Sequence, residues 1–171
     1  MSRLTTDAFK CVRIVALFAL TCALPLSGAI GDDLGPPIYF VAEMSADEQS
    51  AYTESPGKGR AEFVLDRATL RLSWTLTYSN LTSAPIGVAI HGPQSPGGNA
   101  GVLIDMGANG IRNPLKGSAI LTDGQLEYLL TGRTYVNLRT EKYKLGELRG
   151  QIMRQPRKPQ ASNEKQGSPR N

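Results

Sequence analysis

The chain has 171 residues, a formal net charge of +4, one histidine and two cysteines. That length bounds it to one domain of ordinary size, and so few cysteines and histidines leave no set of ligands for thiolate zinc or an iron–sulfur cluster. The positive charge sits at the two ends, +2 in residues 1–29 and +4 in residues 154–171, which leaves −2 for the stretch between. Without clustered Lys and Arg beside stacking aromatics, that stretch carries no nucleic-acid footprint.

Arg3, Lys10 and Arg13 precede an uncharged apolar run over residues 14–26, followed by the small residues Ser27, Gly28 and Ala29. A basic start, an apolar middle and a small-residue end form a secretory signal, here residues 1–29 with Ile30 as the expected mature start. The run is about 13 residues, short of the roughly 20 needed for a membrane-spanning helix; an uncleaved anchor is the competing reading. Cys11 and Cys22 both lie inside the signal. The exported chain is therefore expected to hold no thiol and to stand on burial alone, for which about 115 residues suffice by removing roughly two-thirds of the unfolded surface from water. Residues 30–37, with Asp32 and Asp33, read as a short leader.

From residue 38 the pattern is alternation with period two. Ala61, Phe63 and Leu65 mark a strand opened by Ser55-Pro56-Gly57-Lys58-Gly59. Leu70, Leu72, Trp74, Leu76 and Tyr78 point one way while Arg71, Ser73, Thr75, Thr77 and Ser79 point the other, as on a strand with one buried face. Ile86, Val88 and Ile90 repeat the pattern before His91, as do Val102, Ile104 and Met106 after a glycine-rich connection. One helix interrupts the strands, Asp123–Leu130, with Thr122 or Asp123 as cap, Leu126, Leu129 and Leu130 facing inward, and Gly132 at its end. Val136 and Leu138 then alternate with Tyr135, Asn137 and Arg139, and Leu148 and Ile152 with Glu147, Arg149 and Gln151. Turn residues between these segments argue for a sandwich or barrel of seven or eight strands. The proline-containing basic tail, residues 154–171, reads as a disordered terminus; its functional reading is weak attachment to an anionic surface.

Two segments carry a family likeness: Ala89-Ile90-His91-Gly92 leading to Gly97-Gly98-Asn99-Ala100-Gly101-Val102, and 132–140 leading to Gly146-Glu147-Leu148-Arg149-Gly150-Gln151-Ile152. Together with Leu121-Thr122 and Leu130-Thr131-Gly132 they resemble a CHRD domain, the module named from chordin that also occurs as small stand-alone exported bacterial proteins. The resemblance covers residues 38–153 and implies an all-β, single antiparallel sandwich, immunoglobulin-like or superoxide-dismutase-like, with one short helical turn. It brings no settled activity. The family pattern usually has a second histidine after Tyr-Val-Asn, where this chain has Arg139, a side chain that stays protonated and does not ligate metal. One imidazole and no thiolate do not make a copper or zinc site, so no metal and no cofactor are expected.

The residues singled out for recognition or for a structural polar network are His91, Asn137, Arg139, Glu147, Arg149 and Gln151. His91 reads either as a cross-strand or loop hydrogen bond holding residues 93–99 against the sheet, or as a ligand contact or pH sensor. If the last two long strands form a hairpin, Arg139, Glu147 and Arg149 share a face, and an ion-pair ladder among them is expected. That ladder either fixes register or offers arginine donors to a carboxylate, phosphate or sugar. No activated hydroxyl with a base in reach is legible. The chain is accordingly expected to be a non-enzymatic binding module, periplasmic or extracellular, whose partner is a protein or envelope surface component. The rival readings are an envelope protein that self-associates through an open strand edge, and an enzyme with an unrecognised site on the His91 and Glu147 face.

Overall fold

The computed structural model describes residues 35–156. The expected secretory signal, most of the expected leader and the tail beyond residue 156 lie outside the described residues. The strands are β1 Ile38–Ser45, β2 Lys58–Asp66, β3 Arg71–Ser79, β4 Pro85–His91, β5 Val102–Asp105, β6 Leu115–Ile120, β7 Tyr135–Thr140, β8 Leu148–Gln151 and β9 Met153–Arg154, with the helix α1 Asp123–Leu130 between β6 and β7. All pairings are antiparallel, in the spatial order β5-β4-β7-β8-β1-β2-β3-β6, with β9 on β1. The expected all-β architecture with one short helix is what the chain adopts; the ninth strand is the two-residue continuation of β8.

The sheet folds over itself as two halves, β5-β4-β7-β8 and β1-β2-β3-β6, whose inner faces make the core. One corner is closed by a strand that changes sheets, a device by which sandwiches join their layers. β8 meets β1 at Ser45 and Arg149, and after Ile152 the chain continues as β9 along Phe40 and Val41. Gly150 permits this crossing, because a Cβ there would strike the carbonyl oxygen of Glu43. The other corner stays open: β5 and β6 are joined by residues 106–114, yet among the described residues β5 pairs only with β4 and β6 only with β3.

Alternation puts Phe40, Ala42 and Met44 of β1, Ala61, Phe63 and Leu65 of β2, and Leu72, Trp74 and Leu76 of β3 on one inner face, against Val88, Ile90, Val136, Leu138, Leu148 and Ile152 of the other half. Each large side chain so buried stabilises the fold by about 1.5–3 kcal/mol. Three residues leave the expected pattern. Leu70 lies in the β2–β3 turn with φ 53°, where its carbonyl accepts from Leu121 N–H. Ile86 is exposed because the β4–β7 register shifts between Pro85 and Gly87. Val102 is exposed at the β4–β5 register shift.

The helix follows its local signals closely. Thr122 is the N-cap and Gln125 returns the bond to the Thr122 N–H, a capping box. At the other end Gly132 (φ 68°) donates to Leu129 and Arg133 to Tyr128, the paired bonds of a Schellman motif. Leu129 is buried and Leu126 partly so, but Leu130, expected to face inward, is exposed.

Candidate functional site

The outer face of β4, β7 and β8 gathers most of the singled-out residues. Register pairs His91 with Tyr135, Asn137 with Arg149, and Tyr135 with Gln151. His91 stacks on the Tyr135 ring from the β4 side at 5.1 Å between centroids. From β8, the Arg149 guanidinium lies over the same ring at 3.7 Å. A cation over an aromatic face is attracted by the ring quadrupole, the more so when desolvated, and here Tyr135 and Arg149 are 2% and 1% exposed. The ordering His91, Tyr135, Arg149 is thus a layer across three strands, built by their common pleat.

Loops close over this layer and are tied to it. His91 Nδ1 donates to the Ala100 carbonyl at 3.0 Å, and the Ala100 N–H donates to the Tyr135 hydroxyl at 3.0 Å. Gln151 donates to the carbonyls of Gln94 and Gly132. Arg149 reaches Asn99, whose side chain also accepts from Ser50. Asn137 joins two further loops, accepting from Gln49 at 2.9 Å and donating to the Leu145 carbonyl at 2.9 Å. The Tyr143 hydroxyl accepts from the Glu54 N–H and donates to the Glu54 carbonyl, each at 3.1 Å. Three loops, residues 46–57, 92–101 and 141–146, are therefore pinned to one sheet face and, in part, to each other.

Glu147 departs from the expected shared face. Leu138 accepts from Glu147 N–H while standing opposite Leu148, so two residues of one strand face one of the other, as in a β-bulge. The bulge turns the carboxylate to the end of the core, fully buried. There it accepts from Ser55 Oγ at 2.7 Å, Thr82 N–H at 2.8 Å, Thr82 Oγ1 at 2.9 Å and Thr140 Oγ1 at 2.6 Å. The expected ion-pair ladder does not form: Glu147 is satisfied by neutral donors. Arg139 is exposed with its guanidinium against Gly87, its partner in register. Of the six singled-out residues, four belong to the loop-covered layer, Arg139 lies at its open margin, and Glu147 belongs to a separate buried cluster.

The electrostatics follow from this placement. Burial lowers the His91 pKa below its ordinary value of 6.5, the Ala100 carbonyl partly offsets this, and Arg139 and Arg149 lower it further. The Ala100 contact requires a proton on Nδ1, and burial favours the neutral ring in that tautomer. For Glu147, burial acts to raise the pKa, but the bonds from Thr140, Ser55 and Thr82 outweigh it and hold the carboxyl below the usual range. Burial lowers the Arg149 pKa as well, with Tyr135 and Glu48 opposing it, yet a guanidinium stays charged at any ordinary pH. Arg149 Nη2 and Gln151 Oε1 are buried with no hydrogen-bond partner among the described residues. Among the described residues no three His, Cys, Asp or Glu side chains converge as a metal cage would.

Sequence reasoning overlooked the residues that the layer holds outward. Tyr52 and Leu145 are 87% and 83% exposed, one on each of two loops joined through Asn137. A large apolar residue in a turn-rich stretch, Tyr52 among Ser, Ala and Thr and Leu145 between Lys144 and Gly146, was the available signal. Tyr135 was placed on the correct face by alternation, but its part in the stack depends on cross-strand partners.

Comparison with curated proteins gives no match, and none is found among solved structures. The family model described as CHRD domain matches residues 40–152, the span that runs from the first core residue of β1 to the corner between β8 and β9. The covered layer and the helix lie within that match, and the chain belongs to the CHRD domain family.

Proposed function

We propose that the chain is an exported, non-enzymatic binding domain that acts in the periplasm or outside the cell. Its contact surface is the loop cluster over β7 and β8, with Tyr52 and Leu145 as anchors for a protein or an envelope component. The observation that carries this reading is the pairing of two highly exposed apolar side chains with a buried polar layer that orders the loops bearing them. Exposed aromatic and aliphatic anchors on a rigid base are economical in binding, since little loop entropy remains to be lost. His91, Asn137, Arg149 and Gln151 act in this reading as supports, and Arg139 as a charge beside the contact. The exported location rests on the basic, apolar and small-residue pattern of residues 1–29.

The test is quantitative affinity capture from an envelope fraction, with the native chain and its Tyr52→Ser, Leu145→Ser double variant as baits. Both positions are surface, so the variant should keep its unfolding free energy within about 0.5 kcal/mol. A component retained by the native bait and lost by the folded variant is expected. Retention of the same components by both would remove the loop cluster from consideration as the contact surface.

A further inference from the structure

The open corner between β5 and β6 has the properties of a receptor for an extended chain. A cavity of about 480 Å³ lies between the two strands and the 106–114 connection. On one side β5 is partly engaged, its Leu103 carbonyl accepting from Gln125 of α1 at 3.0 Å. On the other side the six-residue β6 has, among the described residues, no backbone hydrogen bond except those to β3. Such an edge presents a row of free N–H and C=O groups to any strand laid beside it. On the inner face of β6 Leu115 is buried, but Gly117 points inward and is exposed. The Trp74 indole packs into the place a side chain would fill there, its Cζ2, Cε2 and Nε1 lying 2.7, 2.8 and 3.0 Å from a Cβ built at that position, so Trp74 underlies the β6 edge directly. Trp74 is 6% exposed, and its indole N–H has no acceptor among the described residues.

We propose that this cleft binds an acidic peptide segment in extended conformation, which pairs with the free edge of β6 beside Trp74 and sets its carboxylates against Arg112 and Lys116. Backbone pairing with side-chain pockets on alternate residues is how exposed sheet edges take up peptides. The charge of the rim selects the partner. Arg112 and Lys116 both line the cleft and are exposed, whereas the one lining carboxylate, Asp105, is engaged by the Gly107 N–H at 2.9 Å. A second copy of this chain offering the same edge would bring Arg112 and Lys116 to a rim that is already basic, which disfavours it as occupant.

Trp74 is the only tryptophan of the chain, so its fluorescence reports on the cleft without a label. The native chain is titrated to about 1 mM with a capped peptide of three Glu-Val repeats, matched in length to β6, and with its Lys-Val counterpart. The expected result is a saturable change in Trp74 emission with the Glu-Val peptide, at least about tenfold weaker for the Lys-Val peptide and for the Arg112→Glu, Lys116→Glu double variant. Both substituted positions are exposed, so this variant keeps the fold and the test reads the cleft alone. Absence of a saturable change, or equal binding of the two peptides, would overturn the proposal. So would concentration-dependent association of the chain that alters Trp74 emission with no peptide present, because the occupant would then be a second copy.

Discussion

The loop-covered face of β7 and β8 and the open β5–β6 corner treat their polar groups in opposite ways. Over β7 and β8, side chains of the sheet reach out to loop backbone: Gln151 to Gln94 and Gly132, His91 to Ala100, Asn137 to Leu145. At the β5–β6 corner the backbone edge of β6 and the Trp74 indole N–H stand without partners among the described residues. The difference teaches that polar residue types in a strand do not by themselves mark a contact surface. Where they are long and lie beneath loops they become internal supports, and it is a strand edge that no loop covers, as at β6, that leaves polar groups free for a partner.

Breaking the covered region should cost far more than altering the open one. The largest effect is expected for Glu147→Ala, which leaves three buried or half-buried residues, Ser55, Thr82 and Thr140, without their acceptor. A loss of about 3 kcal/mol in unfolding free energy, read from denaturant midpoints, follows from the cost of stranding buried donors. Tyr135→Phe removes only the hydroxyl that receives the Ala100 N–H and should cost about 1 kcal/mol. Arg139→Ala should stay within about 0.5 kcal/mol of the native chain, as should Lys116→Glu at the open corner, because both residues are exposed.

Acid titration sharpens the same contrast. The His91 pKa is lowered by folding, so below its ordinary 6.5 the unfolded chain takes up a proton that the folded chain refuses, and stability falls as the pH drops through that window. The Glu147 pKa is also lowered, so its contribution is complete above the ordinary 4.5 and is lost as the pH falls through the folded value. Unfolding midpoints measured from pH 7 to pH 3 should therefore decline in two stages. His91→Gln should flatten the upper stage and Glu147→Gln the lower, and an unchanged profile in either variant would remove that residue from the account.

Much of the fold was legible because local rules decide it. Ala61, Phe63 and Leu65, or Leu72, Trp74 and Leu76, are placed by strict alternation, and α1 is bounded by Thr122, Gln125 and Gly132 through bonds confined to a single turn. What escaped depends on the partner strand. The bulge that carries Glu147 away from Arg149 exists only because Leu138 faces two residues. Ile86 turns outward for a register shift against β7, and the Tyr135 stack needs two neighbours from strands distant in sequence. The open corner was equally hidden, since nothing in 115–120 states which edge remains unpaired once the halves have closed.

The most direct test is residue-resolved amide hydrogen exchange by nuclear magnetic resonance, on the native chain and on Tyr135→Phe and Glu147→Ala. The loop amides of Ala100 and Thr82 donate to the side chains of Tyr135 and Glu147, so the account predicts slow exchange at both positions in the native chain. Each should lose protection in the matching variant, while the amides of β6 that point away from β3 exchange quickly throughout. Native Ala100 and Thr82 exchanging as fast as those free β6 amides would contradict the claim that the polar residues of this sheet face serve to hold its loops.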